Sequence, residues 1–265
     1  MKSATLGMLA WILASLPAYG QRADFVPMSL VDVRLTASCS FLPEVRIVDY
    51  GYQIRSLPTS KQNLWMVMLF YESPVLGSSA PPGWASEDAT GSDLSFGVDF
   101  NGSLVPPGGV IGDAKLSSTG LPAVEIFRAK GDAPDPPMPP PGLTEQEYSA
   151  YMDKADFVNN SAKGYTVAPG PITTSAPVAS ILTFLGAQKE KAAGLGWIDN
   201  PGAVNSLDVK LSAAERALSH GNASAARGEI EAFDSEVRAQ NGKHLDGNAF
   251  AILDTGAQVA LGDLR

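Results

Sequence analysis

The chain has 265 residues, with 19 Lys and Arg against 28 Asp and Glu, a net charge of −9, one cysteine and two histidines. An acidic balance with no concentrated basic stretch argues against nucleic acid or anionic lipid as a partner. The lone Cys39 rules out an intrachain disulfide framework, and the length suffices for a sizeable core in one or two domains.

Met1-Lys2, the apolar run Leu6 to Leu16 and the small-residue end Ala18-Tyr19-Gly20 follow the order of a secretory signal peptide. About ten apolar residues are too few to span a bilayer. The expectation is therefore export, to the extracellular space or a periplasm, with cleavage after Gly20 and no membrane span in the mature chain.

Val31 to Leu35 alternates strictly, as a strand with one buried face does. Val45 to Leu57, Leu64 to Tyr71, Leu94 to Phe100, Gly109 to Leu116 and Ala123 to Arg128 are further strand-like runs, separated by clusters such as Ser78-Ser79-Ala80-Pro81-Pro82-Gly83 and Pro106-Pro107-Gly108-Gly109. No helical period interrupts them, which predicts an antiparallel β-sandwich rather than βαβ units. Leu64 to Tyr71 is apolar at nearly every position and is expected at the centre of its sheet, covered on both faces. Ala133 to Gly142 holds six prolines and reads as a stiff strap. Thr144 and Glu147 then form a capping box for a short helix whose stripe, Tyr148, Tyr151, Met152 and Ala155, is expected to pack on the sheet or on the helices that follow. Pro169-Gly170-Pro171 is expected to interrupt regular structure.

Beyond that point the period is helical. Ala179, Leu182, Leu185 and Ala193 suggest a first helix, closed by Gly194-Leu195-Gly196. Leu207, Leu211, Ala214 and Leu218 form the stripe of a second, with Asn200-Pro201 as its start and Gly221 after its end. Asn222 caps a third, on Ala226, Ile230, Phe233 and Val237, which stops at Gly242; the two-residue connection Gly221-Asn222 requires an antiparallel pair. Asp246 opens a fourth through Phe250, Leu253, Ala257 and Leu261.

The ordered run Asn205-Ser206-Leu207, Lys210-Leu211, Ala213-Ala214, Ala217-Leu218, Gly221-Asn222, Ala225-Ala226, Ala232-Phe233, Val237, Ala239-Gln240 and Gly242-Lys243 resembles the FIMAH domain, a helical module near the C-termini of exported bacterial and archaeal proteins. The resemblance covers about the last 65 residues. It implies an architecture and an exported context, and no reaction.

The expected organisation is thus a multi-domain β plus α chain: signal peptide 1–20, antiparallel β-sandwich 21–132, proline-rich strap and short helix 133–171, and a small FIMAH-like helical bundle 172–265, the last expected to fold alone.

Signals for chemistry are sparse. His220 and His244 both fall at helix ends, where a histidine interacts well with terminal carbonyls. No HExxH, cysteine-based metal pattern, G-x-S-x-G elbow or phosphate loop is present, so no cofactor or metal is expected. Cys39 reads either as a buried inert thiol or as one able to pair between chains. Trp84, after Ala80-Pro81-Pro82-Gly83, is the leading candidate ligand contact, ahead of the tyrosines: an exposed platform for a sugar ring, or a plug at the end of the sandwich. Asp49, Glu72, Asp99 and Glu125 lie on or beside strands, where solvated or edge-protecting charge competes with two-carboxylate catalysis. Asp99-Phe100-Asn101-Gly102 carries a fragment of a calcium-loop pattern but reads better as an Asn-Gly hairpin turn.

These readings converge on an exported, non-catalytic binding or surface-interaction protein with an extracellular protein or glycan as partner. The alternative is a carbohydrate-binding protein or glycan-active hydrolase that uses the sandwich. The leader predicts a mature N-terminus at Gln21, because small residues occupy the two positions a signal peptidase reads, Ala18 and Gly20. Edman sequencing of exported protein should start there, and a start at Met1 would reject cleavage.

Overall fold

The structure, a computed structural model, describes residues 25–88, 90–134, 138–156 and 159–264. The leader reading of residues 1–20 lies outside them. Among the described residues the strands are β1 (Val33–Leu42), β2 (Ile47–Ser56), β3 (Leu64–Phe70), β4 (Val75–Ser79), β5 (Trp84–Asp88), β6 (Asp93–Val98), β7 (Val110–Ser118), β8 (Gly120–Gly131) and β9 (Ala162–Thr173), with α1 (Glu145–Ala155) between the last two; α2 (Val178–Gly194), α3 (Pro201–Ser219), α4 (Ala223–Gln240) and α5 (Gly247–Asp263) follow.

The strands form two antiparallel sheets, ordered β1-β2-β7-β4 and β5-β6-β3-β8-β9. They face each other across a shared core of Leu35, Val48, Ile54, Val67, Leu69, Phe96, Leu116 and Phe127. The sandwich is cross-tied at its centre. The buried Tyr50 hydroxyl of β2 donates to the Gly120 carbonyl of β8 at 2.8 Å, and the Tyr52 and Phe96 rings meet at a centroid distance of 6.4 Å. Only Thr119 separates β7 from β8, so the chain changes sheets there within a single residue. Strand β3 is central, as its composition requires, with one face buried and the other, Met66, Met68 and Phe70, half-buried.

β4, β5 and β9 arise where the sequence predicts turns and loops. β4 and β5 are five residues each, too short and too rich in Ser, Gly and acidic residues to carry an apolar period. β9 runs through Pro169-Gly170-Pro171, which therefore does not interrupt regular structure. Proline is tolerated there because β9 is the edge of its sheet and a missing N–H breaks no second ladder; the Pro169 carbonyl still accepts from the Glu72 N–H at 2.8 Å.

α1 carries its expected capping box, with the Thr144 hydroxyl accepting from the Glu147 N–H and the Glu147 carboxylate accepting from the Thr144 N–H. Its stripe, however, is only partly covered: Tyr148 and Met152 are exposed, and Tyr151 is half-buried. The reason is topological. β8 and β9 pair down to Ala129 and Ala162, so the chain between them leaves the sandwich as an arm.

α3 and α4 are the expected antiparallel pair, capped by Asn200 and Asn222, and bury Leu207, Leu211, Ala214, Ala226, Ile230, Phe233 and Val237. Lys189 of α2, fully buried, ties α2 to α3 through Asp208 at 2.6 Å. α5 is the hub. Of its 17 residues 11 are buried, because it packs on α2 and α4 on one side and on β1, β8 and β9 on the other.

The opening of α5 explains its unusual sequence. Asp246 caps it by accepting from the Asn248 and Ala249 N–H groups, and Gly247 sits where a Cβ would come within 3.0 Å of the Thr36 methyl. Asn248, 4% exposed, then lays its amide along the outer edge of β1, accepting from the Ala37 N–H at 2.8 Å and donating to the Leu35 carbonyl at 3.1 Å. Gln188 of α2 does likewise for the Val124 N–H of β8 at 2.8 Å. Arg46, in the β1–β2 turn, closes the far end with a two-pronged ion pair to Asp263. The helices are thus a layer against the sandwich, with which they share one core. A fragment 172–265 in isolation would leave that face of α5 and the Gln188 and Asn248 amides open to water.

Asn248→Ala strips both partners from a buried strand edge. It should lower stability by about 1 to 3 kcal/mol in urea denaturation, and a loss under about 0.5 kcal/mol would show that the amide does not hold the edge.

Candidate functional site

An open groove of about 540 Å³ lies on the outer face of the β1-β2-β7-β4 sheet. Two register rows build it. Ser40, Asp49, Ser117 and Gly77 lie side by side across the four strands, and Ser38, Gly51, Lys115 and Ser79 form the next row. These are the outward positions of strands whose alternate residues, such as Tyr50 and Leu116, fill the core. Glycine in each row keeps the floor low: a Cβ at Gly77 would meet nothing within 4 Å, and one at Gly51 would meet the Ser38 hydroxyl at 3.0 Å.

The Ser117 hydroxyl donates to Asp49 at 2.6 Å and the Ser38 hydroxyl to the Gly51 carbonyl at 3.3 Å. Lys115 makes no hydrogen bond or ion pair among the described residues. Asp49 and Lys115 are diagonal neighbours, a relation that sets Cα atoms about 7 to 8 Å apart. The groove therefore offers hydroxyls that both donate and accept, one carboxylate and one unpaired ammonium.

Trp84 is not on this surface. It is 6% exposed, packed into the sandwich core, with its indole N–H donating to the Ser103 carbonyl at 3.3 Å. It lines a second depression, and at this burial it offers no open ring face for a sugar to stack on. The exposed aromatic nearby is Phe100, at 98%, on a turn pinned by the Asp99 N–H to the Gly83 carbonyl and the Gly102 N–H to the Asp99 carbonyl. Gly102 is required there, since a Cβ would fall 1.7 Å from the Gly83 oxygen. The turn is not a hairpin, because β6 and β7 lie in different sheets.

Cys39 turns inward opposite Tyr50, half-buried against the core, and burial pushes its thiol well above the usual range. That is the inert reading. His220 donates from Nδ1 to the Arg216 carbonyl at the end of α3. His244 bonds Asp199 at 2.8 Å through Nδ1 and meets the Asn200 amide through Nε2, bracing the cap of α3. The two histidines lie beyond opposite ends of α4, a helix about 27 Å long. No group of three or more His, Cys, Asp or Glu among the described residues is placed to hold a metal ion.

Of the four candidate carboxylates, Asp49 is in the groove, Asp99 accepts from the Phe100 N–H in its own turn, and elsewhere Glu125 feels the charge of Glu72. Glu125, half-buried on β8, is pushed up to about 7, first by desolvation, then by the Glu72 charge, with Lys191 of α2 opposing. Raised above the ordinary 4.5, it holds more protons folded than unfolded between these values, so its contribution to stability falls as pH rises from about 4.5 to about 7. Glu125→Gln should remove that fall and stabilise the protein at pH 8, on the order of 1 kcal/mol after discounting for solvent screening. Melting curves at pH 5 and pH 8 check this: an unchanged difference between the two pH values would show that Glu125 does not titrate there.

Residues 184–262, from within α2 to the end of α5, match the FIMAH domain model. The chain thus carries a FIMAH domain that begins one helix earlier than the resemblance read from sequence. No curated protein matches the chain. Among the described residues no helix is long and apolar enough to cross a membrane.

Proposed function

We propose that this is an exported, non-catalytic binding protein whose ligand-facing surface is the outer face of the β1-β2-β7-β4 sheet. The observation that carries the reading is the groove itself: side chains from all four strands converge on an open surface with unspent hydrogen-bonding capacity, above a closed core. Small ligands and chains are held in such concavities by a few placed polar groups. The FIMAH domain supports the exported context and leaves the ligand to the sandwich. On this reading the helices hold the sheet rigid, since α5 fixes the β1 side of the groove through Asn248.

A specific observation favours a second reading, glycan hydrolysis at Glu125 and Glu72. Glu125 is a half-buried carboxyl pushed up to about 7, first by desolvation and then by the Glu72 charge, as a general acid's is.

The mature chain, begun at Gln21, should bind members of an extracellular-protein and glycan array and lose that binding in Ser117→Trp, which fills the groove while Ser117 is only half-buried. Robust turnover in a broad hydrolase screen, abolished in Glu125→Gln, would replace the first reading with the second. Binding unchanged in Ser117→Trp would move the ligand off this face.

A further inference from the structure

We propose that the groove takes a saccharide unit bearing a carboxylate, a uronic acid residue within a glycan chain, with Lys115 as the anion contact; this rests on the binding reading above. Three features of the face point there. Ser38 and Ser40 of β1, Ser117 of β7 and Ser79 of β4 present hydroxyls from three of the four strands, and groups that donate and accept in turn match the mixed character of sugar hydroxyls. Lys115 is the groove's only cation and has no partner among the described residues, although Asp49 lies one diagonal step away and is already engaged by Ser117. An exposed lysine left unpaired beside a carboxylate is a positive site open to an anion from outside.

The anion is a small monoanion. β2 and β7 are interior strands, so their backbone N–H groups are spent in ladders on both sides, and among the described residues no helix N-terminus lines the groove. A doubly charged phosphate would be met by one ammonium alone, whereas a sugar carboxylate needs one charge and several hydroxyl partners. Gly51 and Gly77 flank Lys115 and Ser117, and with no side chains there a ring can settle onto the strands. Asp49 then accepts from ring hydroxyls on the far side from the carboxylate. The net charge of −9 repels a long polyanion, but over about 8 to 10 Å of screening at ordinary salt the local ammonium decides.

The test is calorimetric titration of the mature full chain with oligogalacturonate, beside a neutral cello-oligosaccharide of equal length. Oligogalacturonate should bind more tightly than the neutral chain and weaken with salt. Lys115→Met should weaken it by about tenfold or more, the scale of a lost hydrogen bond to a charged group, while Lys115→Arg retains it. Equal binding of the neutral chain, with Lys115→Met silent, would overturn the carboxylate inference and leave the binding face standing. No binding of either oligosaccharide, with the array signal still lost in Ser117→Trp, would overturn the sugar and keep the face. Loss of both would sink the inference and the reading together. Lys115 is exposed and its neighbours are small, so its variants fold, and their melting temperatures confirm it.

Discussion

A free strand edge is the constraint on which this molecule turns. β1 ends its sheet, and its outward N–H and C=O groups must find partners or lie open to another chain. Asn248 supplies them from 211 residues away in sequence, donating and accepting as a neighbouring strand would. Once that contact is made, α5 is fixed on the sandwich, α2 and α4 pack on α5, and α3 packs on α2 and α4. The Arg46 to Asp263 pair and the Gln188 contact secure the same arrangement at other points. The FIMAH domain serves here as the cover that lets a sandwich end on this side.

Much of this was legible in the sequence. The caps of Asn200, Asn222 and Asp246 and the stripes they introduce give α3, α4 and α5 nearly to the residue, because capping and a 3.6 period are local properties. Longer strands announced themselves by their apolar faces. β4 and β9 did not: Gly77, Ser78 and Ser79 have no period to show, and Pro169 to Pro171 carries the marks of a break. Both are strands because a neighbour pairs with them, which is a tertiary fact. The docking of α5 was illegible for the same reason, since a lone asparagine after a cap says nothing of a strand distant in the chain.

The candidate site divides along the same line. Trp84 drew notice as an aromatic beside a proline turn, yet so large a ring is drawn inward by its apolar area, and it is buried. Asp49 was visible as a strand carboxylate, but Lys115, Ser38 and Ser79 were not singled out, since an outward serine or lysine on a strand is ordinary until register brings four strands together. Ser38-Cys39-Ser40 alternates polar and inward residues, and that faint period was the available signal.

The arm between β8 and β9 leads to a different consequence. The strands separate at Ala129 and Ala162, and the 30 residues between Gly131 and Ala162 re-enter the sheet at the point they left it. Loop-closure cost grows only slowly with length, by about 0.6 kcal/mol for each doubling. The sandwich is therefore nearly indifferent to what is carried between Asp132, whose N–H donates to the Asn63 carbonyl, and the buried Asn160, which accepts from the Met28 N–H. A short turn, a longer excursion or an unrelated peptide grafted between these ends would leave the β8–β9 register in place, which makes this site a natural mounting point for foreign sequence on an otherwise unaltered scaffold.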